Sequence, residues 1–170
     1  GGNAPFIIRE DCDLNLACDE LILSKFRNAG QTCVCANRIF VNSRILNDFL
    51  PLFLDKVRTI KTGPGLDADA QMGPLINEEA ATRYRALISD LRKSGANFVY
   101  QNEKSERGLI FAPTVAIAST TDIRAFYEEI FGPLAVIYKF ESDEQAIKHS
   151  NATNYGLASY LFTDCRHAIK

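Results

Sequence analysis

The chain has 170 residues, 46% of them hydrophobic and 24% charged, the size and balance of one domain with a core of its own. Nineteen basic against twenty-one acidic residues leave a net charge of -2, with no basic stripe and no Lys/Arg run beside an apolar helix, which argues against nucleic acid or a membrane surface as partner. No stretch reaches the roughly 18 to 20 apolar residues of a membrane span, and the first residues lack the basic-then-apolar layout of a signal peptide, so the chain reads as soluble and cytoplasmic.

Phe6-Ile7-Ile8 is a short apolar run followed by Asp11 and Asp13 as candidate caps, and then by Leu14, Ala17, Leu21 and Ser24 at helical spacing, so a strand and a helix are expected. Arg38 to Asn42 reads as a second strand. Ile45, Phe49, Leu52, Phe53, Val57 and Ile60 then fall on one helical face that Pro51 should weaken. Lys61 to Gly73 is rich in Gly, Pro and Asp and reads as a loop; Asn77 and Glu79 open a helix over Ala80 to Leu91 that ends near Gly95. Phe98 to Tyr100 can be a strand, and a polar stretch from Gln101 to Gly108 separates it from the apolar run Ile110 to Ile117. Leu134 to Phe140 reads as a strand, Asp143 to Ser150 as a short helix, Leu157 to Phe162 as a last strand, and a new helix begins after Asp164. Strands alternating with helices predict an α/β domain, a largely parallel sheet flanked by helices, with no internal repeat.

Five cysteines, an odd number without CxxC spacing, fit a reducing compartment better than a disulfide scaffold or a zinc site, and two histidines far apart in sequence suggest no metal. Cys33 lies between the first helix and the second strand, where loops are exposed for function. Gly30 permits an unusual turn before it, and Gln31-Thr32 is too polar for a purely apolar burial. Taken alone, a single cysteine reads first as a small buried hydrophobe.

Gly30-Gln31-Thr32-Cys33 with Phe26 before it resembles the active-site cysteine signature of the aldehyde dehydrogenase superfamily. Further segments match in order: Met72-Gly73-Pro74-Leu75-Ile76, Phe111-Ala112-Pro113-Thr114, Glu128 to Leu134, and Asn151 to Leu157. The resemblance implies that the Cys33 thiolate adds to an aldehyde carbon, that NAD or NADP accepts a hydride, and that a thioester is then hydrolysed; sulfur is suited to both the attack and the reactive acyl group. It also implies an oxyanion donor in the Cys33 backbone N–H. Glu129 would bond the nicotinamide-side ribose, and Phe131 would pack near the nicotinamide ring, held by the turn at Gly132-Pro133. Without the resemblance, Glu128 and Glu129 would read as a solvated acidic pair and Phe131 as core.

The run Phe26-Arg27-Asn28-Ala29-Gly30-Gln31-Thr32-Cys33-Val34-Cys35 is similar to the succinate-semialdehyde dehydrogenase branch, in which Arg27 would grip the carboxylate of a small-molecule semialdehyde. Otherwise Arg27 is a helix C-terminal arginine facing the last carbonyls. A glutarate-semialdehyde or general aliphatic-aldehyde enzyme is the alternative. Cys35 is a candidate redox partner of Cys33 through a strained disulfide, or a small buried side chain. Gly1-Gly2 match the end of the family's Glu-Leu-Gly-Gly motif, so the chain is expected to be one cysteine-bearing catalytic domain, residues 1–170, truncated at both ends. The general base and the cofactor-binding domain would then lie outside it, the full-length enzyme would be a homo-oligomer, and the isolated chain would be inactive.

Overall fold

A computed structural model describes residues 1–102 and 107–169. The first apolar run forms β1 (Ala4–Ile8), and Asp13 starts α1 (Leu14–Phe26) by accepting from the backbone N–H groups of Asn15 and Leu16 at 2.9 and 3.1 Å. Asp11, the other candidate cap, accepts instead from the Thr163 hydroxyl. A 3-10 turn (Arg27–Gly30) leads toward β2 (Ala36–Asn42), every residue of which is buried, as a strand covered on both faces must be. α2 (Leu46–Arg58) runs unbroken through Pro51. The missing N–H would have met the Asn47 carbonyl, and both residues face solvent, where water can take that carbonyl.

α3 (Glu78–Lys93) opens with the Asn77 side chain accepting from the Ala80 N–H at 2.9 Å. β3 (Asn97–Gln101) follows; the polar stretch after it includes residues 103–106, which lie outside the described residues. β4 (Thr114–Ile117) takes only the end of the apolar run from Ile110, because Pro113 just before it has no N–H for a ladder. The sequence gives no sign of α4 (Arg124–Tyr127), a single turn. β5 (Leu134–Phe140) and α5 (Asp143–Asn151) lie where the apolar pattern puts them, while β6 (Tyr160–Phe162) is shorter than expected. The chain after Asp164 forms a 3-10 turn (Arg166–Ile169); Lys170 lies outside the described residues.

The six strands form one sheet in the order β3-β4-β5-β2-β1-β6, parallel throughout except for the β3–β4 pair. The β1-to-β2 and β5-to-β6 connections cross the sheet in opposite directions, so right-handed crossovers put α1 and α5 on opposite faces. Phe26 of α1 stacks 6.4 Å from Phe53 of α2 on one face, and the rings of Phe40, Phe126, Tyr138 and His149 group beneath α4 and α5. Among the described residues no helix is long and apolar enough to cross a membrane.

Because β5, β2 and β1 are adjacent and parallel, the segments entering them meet at the amino edge of the sheet. Open parallel sheets usually gather ligands at the carboxyl edge. Here the carboxyl edge is laced by exposed ion pairs: Arg44 with Glu10 at 2.8 Å, and Arg9 with Asp143 at 3.0 Å. The Ser43 hydroxyl, on the same edge, donates to Glu141.

Candidate active site

Three residues in a row, Asn28, Ala29 and Gly30, adopt left-handed backbone angles, with φ of 53°, 56° and 72°. Only Gly30 does so without steric cost. A Cβ on Gly30 would also lie 2.2 Å from the Gly132 carbonyl oxygen, so the turn is seated directly on the loop after Phe131. Gln31 fastens its other side: its Oε1 accepts from the Ile76 N–H at 2.9 Å, and its Nε2 donates to the carbonyls of Asn28 and Pro74. A second turn, closed by the Cys35 N–H on the Thr32 carbonyl at 3.1 Å, lifts Cys33 to the surface. Cys33 is an exposed free thiol, whereas Cys35 is buried and turned toward Lys25, whose Nζ is 3.3 Å from its Sγ. Among the described residues no acceptor takes the Cys33 backbone N–H.

Gly2 lies against the nucleophile segment so closely that a Cβ on it would fall 1.8 Å from the Cys33 carbonyl oxygen. Its N–H donates to Oε1 of Glu129 at 2.8 Å, which brings that carboxylate to the same edge. The two neighbouring glutamates have separate fates. Glu128 is held bidentately by Arg124 at 2.7 and 2.9 Å, and that hydrogen-bonded ion pair keeps its carboxyl below the usual range. Glu129 has no such cation, and its Oε2 has no partner among the described residues. Phe131 is half-buried with φ of 51° and lines a cleft of about 390 Å³ with Asn28, Gln31, Pro74, Leu75 and Ile76.

Several residues that fix this geometry carry no sign of it in the sequence. Asn37, in β2, clasps the backbone on both sides of Glu129: its Oδ1 accepts from the Ile130 N–H at 2.9 Å and its Nδ2 donates to the Glu128 carbonyl at 2.9 Å. The same Nδ2 meets Asn3 Oδ1 at 2.6 Å, and Asn3 reaches the Phe126 carbonyl and the Thr153 hydroxyl. Arg83 donates to the carbonyls of Glu129 and Ile130. Arg38, fully buried without a carboxylate, donates to the carbonyls of Asn3, His149 and Ser150, the last two at the negative end of α5. Burial pulls its guanidinium down to about 10, so it stays charged at neutral pH. Hydrogen-bonding capacity of this kind depends on partners distant in the chain, and no local pattern encodes it.

Arg27 stands exposed at the end of α1, and its side chain makes no hydrogen bond among the described residues, so it does not serve the last helix carbonyls. It lines a cleft of about 350 Å³ with Phe6, Glu20, Leu23, Ser24, Val34, Tyr160 and Phe162, and Val34 is the residue next to Cys33. No group of three or more His, Cys, Asp or Glu among the described residues could hold a metal ion. The site therefore offers an accessible thiol, an uncommitted backbone N–H, an uncommitted carboxylate oxygen and an unpaired guanidinium on adjoining segments.

A family model described as the aldehyde dehydrogenase family matches residues 1–170. Among curated relatives, a succinate semialdehyde dehydrogenase of Acinetobacter baylyi is 40% identical over 164 residues, covering 96% of this chain and 34% of that protein. A mitochondrial succinate-semialdehyde dehydrogenase of Oryza sativa subsp. japonica is 43% identical, with 96% and 31% covered. A 3-sulfolactaldehyde dehydrogenase of Pseudomonas putida is 42% identical, with 96% and 34% covered. The crystal structure of an aldehyde dehydrogenase from Brucella melitensis biovar abortus 2308 superposes with a TM-score of 0.95 at 40% identity, over 99% of this chain and 35% of that one. The chain spans about a third of the length of the relatives it matches.

Proposed function

The chain belongs to the aldehyde dehydrogenase family along its 170 residues, and from that premise we propose that it carries the cysteine-bearing catalytic centre of an NAD(P)-dependent enzyme oxidising succinate semialdehyde to succinate. The observation that carries this reading is the exposed Cys33 thiol, whose neighbour Val34 lines a cleft with Arg27, a guanidinium with no partner among the described residues. As thiolate, Cys33 adds to the aldehyde carbon and leaves an oxyanion, toward which its own uncommitted N–H can donate. Arg27 binds the far carboxylate in a two-bond fork, fixing the distance from that end to the thiol.

The residues present fit a dinucleotide. Oε2 of Glu129 is free to accept from a ribose hydroxyl, and Gly1 keeps the space beside it clear, since a Cβ there would lie 2.6 Å from that oxygen. Glu129 and Phe131 would hold the nicotinamide end. Bound NAD or NADP would supply the acceptor for the electron pair removed from the substrate carbon. Asn37, Arg83 and Gly2 keep Glu129 in position throughout. Cys35 is the candidate for a redox role beside the nucleophile, and the cytoplasm, where thiols stay reduced, is the compartment we assign. Alone, the 170-residue chain is expected to bind alkylating agents at Cys33 without turning over aldehydes.

Arg27→Leu in the protein that carries this segment tests the substrate assignment. Loss of two charge-assisted hydrogen bonds, about 1.5 to 3 kcal/mol in all, should raise the apparent KM for succinate semialdehyde by roughly ten- to a hundredfold. An uncharged aldehyde of equal length should be unaffected. Equal rises for both remove Arg27 as the carboxylate clamp, and a preference for glutarate semialdehyde in the parent would move the assignment to that substrate.

A further inference from the structure

Lys25, in the last turn of α1, is fully buried, and the one hydrogen bond its ammonium makes among the described residues is to a sulfur, Cys35 Sγ at 3.3 Å. A lysine is almost never fully buried without a carboxylate. Cys35 is itself only 5% exposed, with the carbonyls of Lys25 and Ala36 as its other neighbours at 3.6 and 3.5 Å. The end of α1 and the start of β2 are held together next to this pair by the Ala36 N–H donating to Ser24 Oγ at 3.0 Å. Nitrogen and sulfur thus face each other in a buried site, and the sulfur is the member of the pair that keeps some exposure.

We propose that Lys25 and Cys35 form an oxidative modification site, a reversible sulfenamide crosslink made when a hydroperoxide reaches the Cys35 sulfur. The sulfur gives two electrons to the peroxide, the O–O bond breaks, and Cys35 becomes a sulfenic acid as one water (or alcohol) leaves. The ammonium of Lys25 releases a proton to solvent, its nitrogen attacks the sulfur, and the sulfenic hydroxyl departs with one amine hydrogen as a second water. An S–N bond has formed, no further oxidant is consumed, and a small thiol attacking the sulfur restores the amine. Sequence proximity suggests Cys33 as the partner of an oxidised Cys35, but Cys33 faces solvent while Cys35 faces the amine. The crosslink closes a ring from residue 25 to residue 35 that contains both Arg27 and Cys33. Oxidation at a buried atom therefore clamps the exposed turn that carries the reactive thiol, and occupies Cys35 before a second peroxide can drive it to the sulfinic acid.

The test is a non-reducing tryptic map of the full protein after hydrogen peroxide treatment, which needs no variant. The expected product is peptide 10–27, uncut after Lys25, joined to peptide 28–38, two hydrogens lighter than the pair and separated by dithiothreitol. Cys33→Ser should leave it in place; Lys25→Arg and Cys35→Ser should abolish it. Cleavage after Lys25 with Cys35 unmodified, present as a sulfinic acid, or joined to Cys33 overturns the proposal.

Discussion

Asn37 lines neither the cleft at Arg27 nor the one at Phe131, yet one amide fixes the peptide units on both sides of Glu129. Asn37→Ala would strand a buried N–H and a carbonyl, at about 1 to 3 kcal/mol each, so a loss of roughly 2 to 6 kcal/mol in urea denaturation is expected. If the residue positions Glu129, the KM for NAD(P) should rise several-fold more than the KM for the aldehyde; a loss of stability with both KM values unchanged would reduce Asn37 to a structural role. At the same scale, two cysteines of α1 and the turn before it, Cys18 buried and Cys12 partly buried, report on pH. Burial pushes the thiol of Cys18 up to about 12 and that of Cys12 up to about 11, from an ordinary value of 9.0. Both keep their protons when folded and lose them first when unfolded, so stability should be full below pH 9 and decline as pH rises from there toward 11 to 12. Urea midpoints between pH 8 and 10.5 measure the decline, and Cys18→Ala should flatten it. A slope unchanged by that substitution would assign it to other groups.

Elements were legible in the sequence where burial is two-sided or amphipathic. β2 and β5 could be read from the short apolar runs Ile39 to Val41 and Leu134 to Tyr138, and α2 and α3 from one apolar face, because those patterns are local consequences of where the core lies. α4 is too short for any period, and β4 and β6 were trimmed by turn chemistry and by the limited edge available for pairing. The candidate site was legible as motifs, without their mutual contacts: Gln31 grips the backbone of Pro74 and Ile76, and the Thr114 N–H donates to the Pro133 carbonyl, so segments distant in the chain prove to be one assembly. The left-handed run before Cys33 tests that coupling. At Gly95, with φ of 77° and only a serine hydroxyl 3.9 Å away, Gly95→Ala should cost only the backbone strain, about 1 to 2 kcal/mol. At Gly30 the new Cβ would meet a backbone oxygen at 2.2 Å, so Gly30→Ala should cost distinctly more and slow Cys33 alkylation as well. Thermal melts of the two variants side by side make the comparison, and equal losses would mean that the turn is not seated on Gly132.

At the scale of the whole molecule, the sheet has two unlike edges. The reactive edge is fastened mainly by amides, backbone groups and arginines donating to carbonyls, with the Arg124–Glu128 ion pair beside them, and the opposite edge mainly by exposed ion pairs that each contribute about 0 to 1 kcal/mol and are screened by salt. Raising salt to about 1 M, where the Debye length is about 3 Å, should therefore lower the melting temperature slightly while leaving the rate of Cys33 alkylation by a neutral reagent unchanged. Parallel changes in both would show that the two edges respond as one. If they respond separately, a lineage moving between dilute and saline interiors could retune its folding by exchanging charges at Glu10, Arg44 and Asp143. The chemistry at Cys33 would not have to adapt at all.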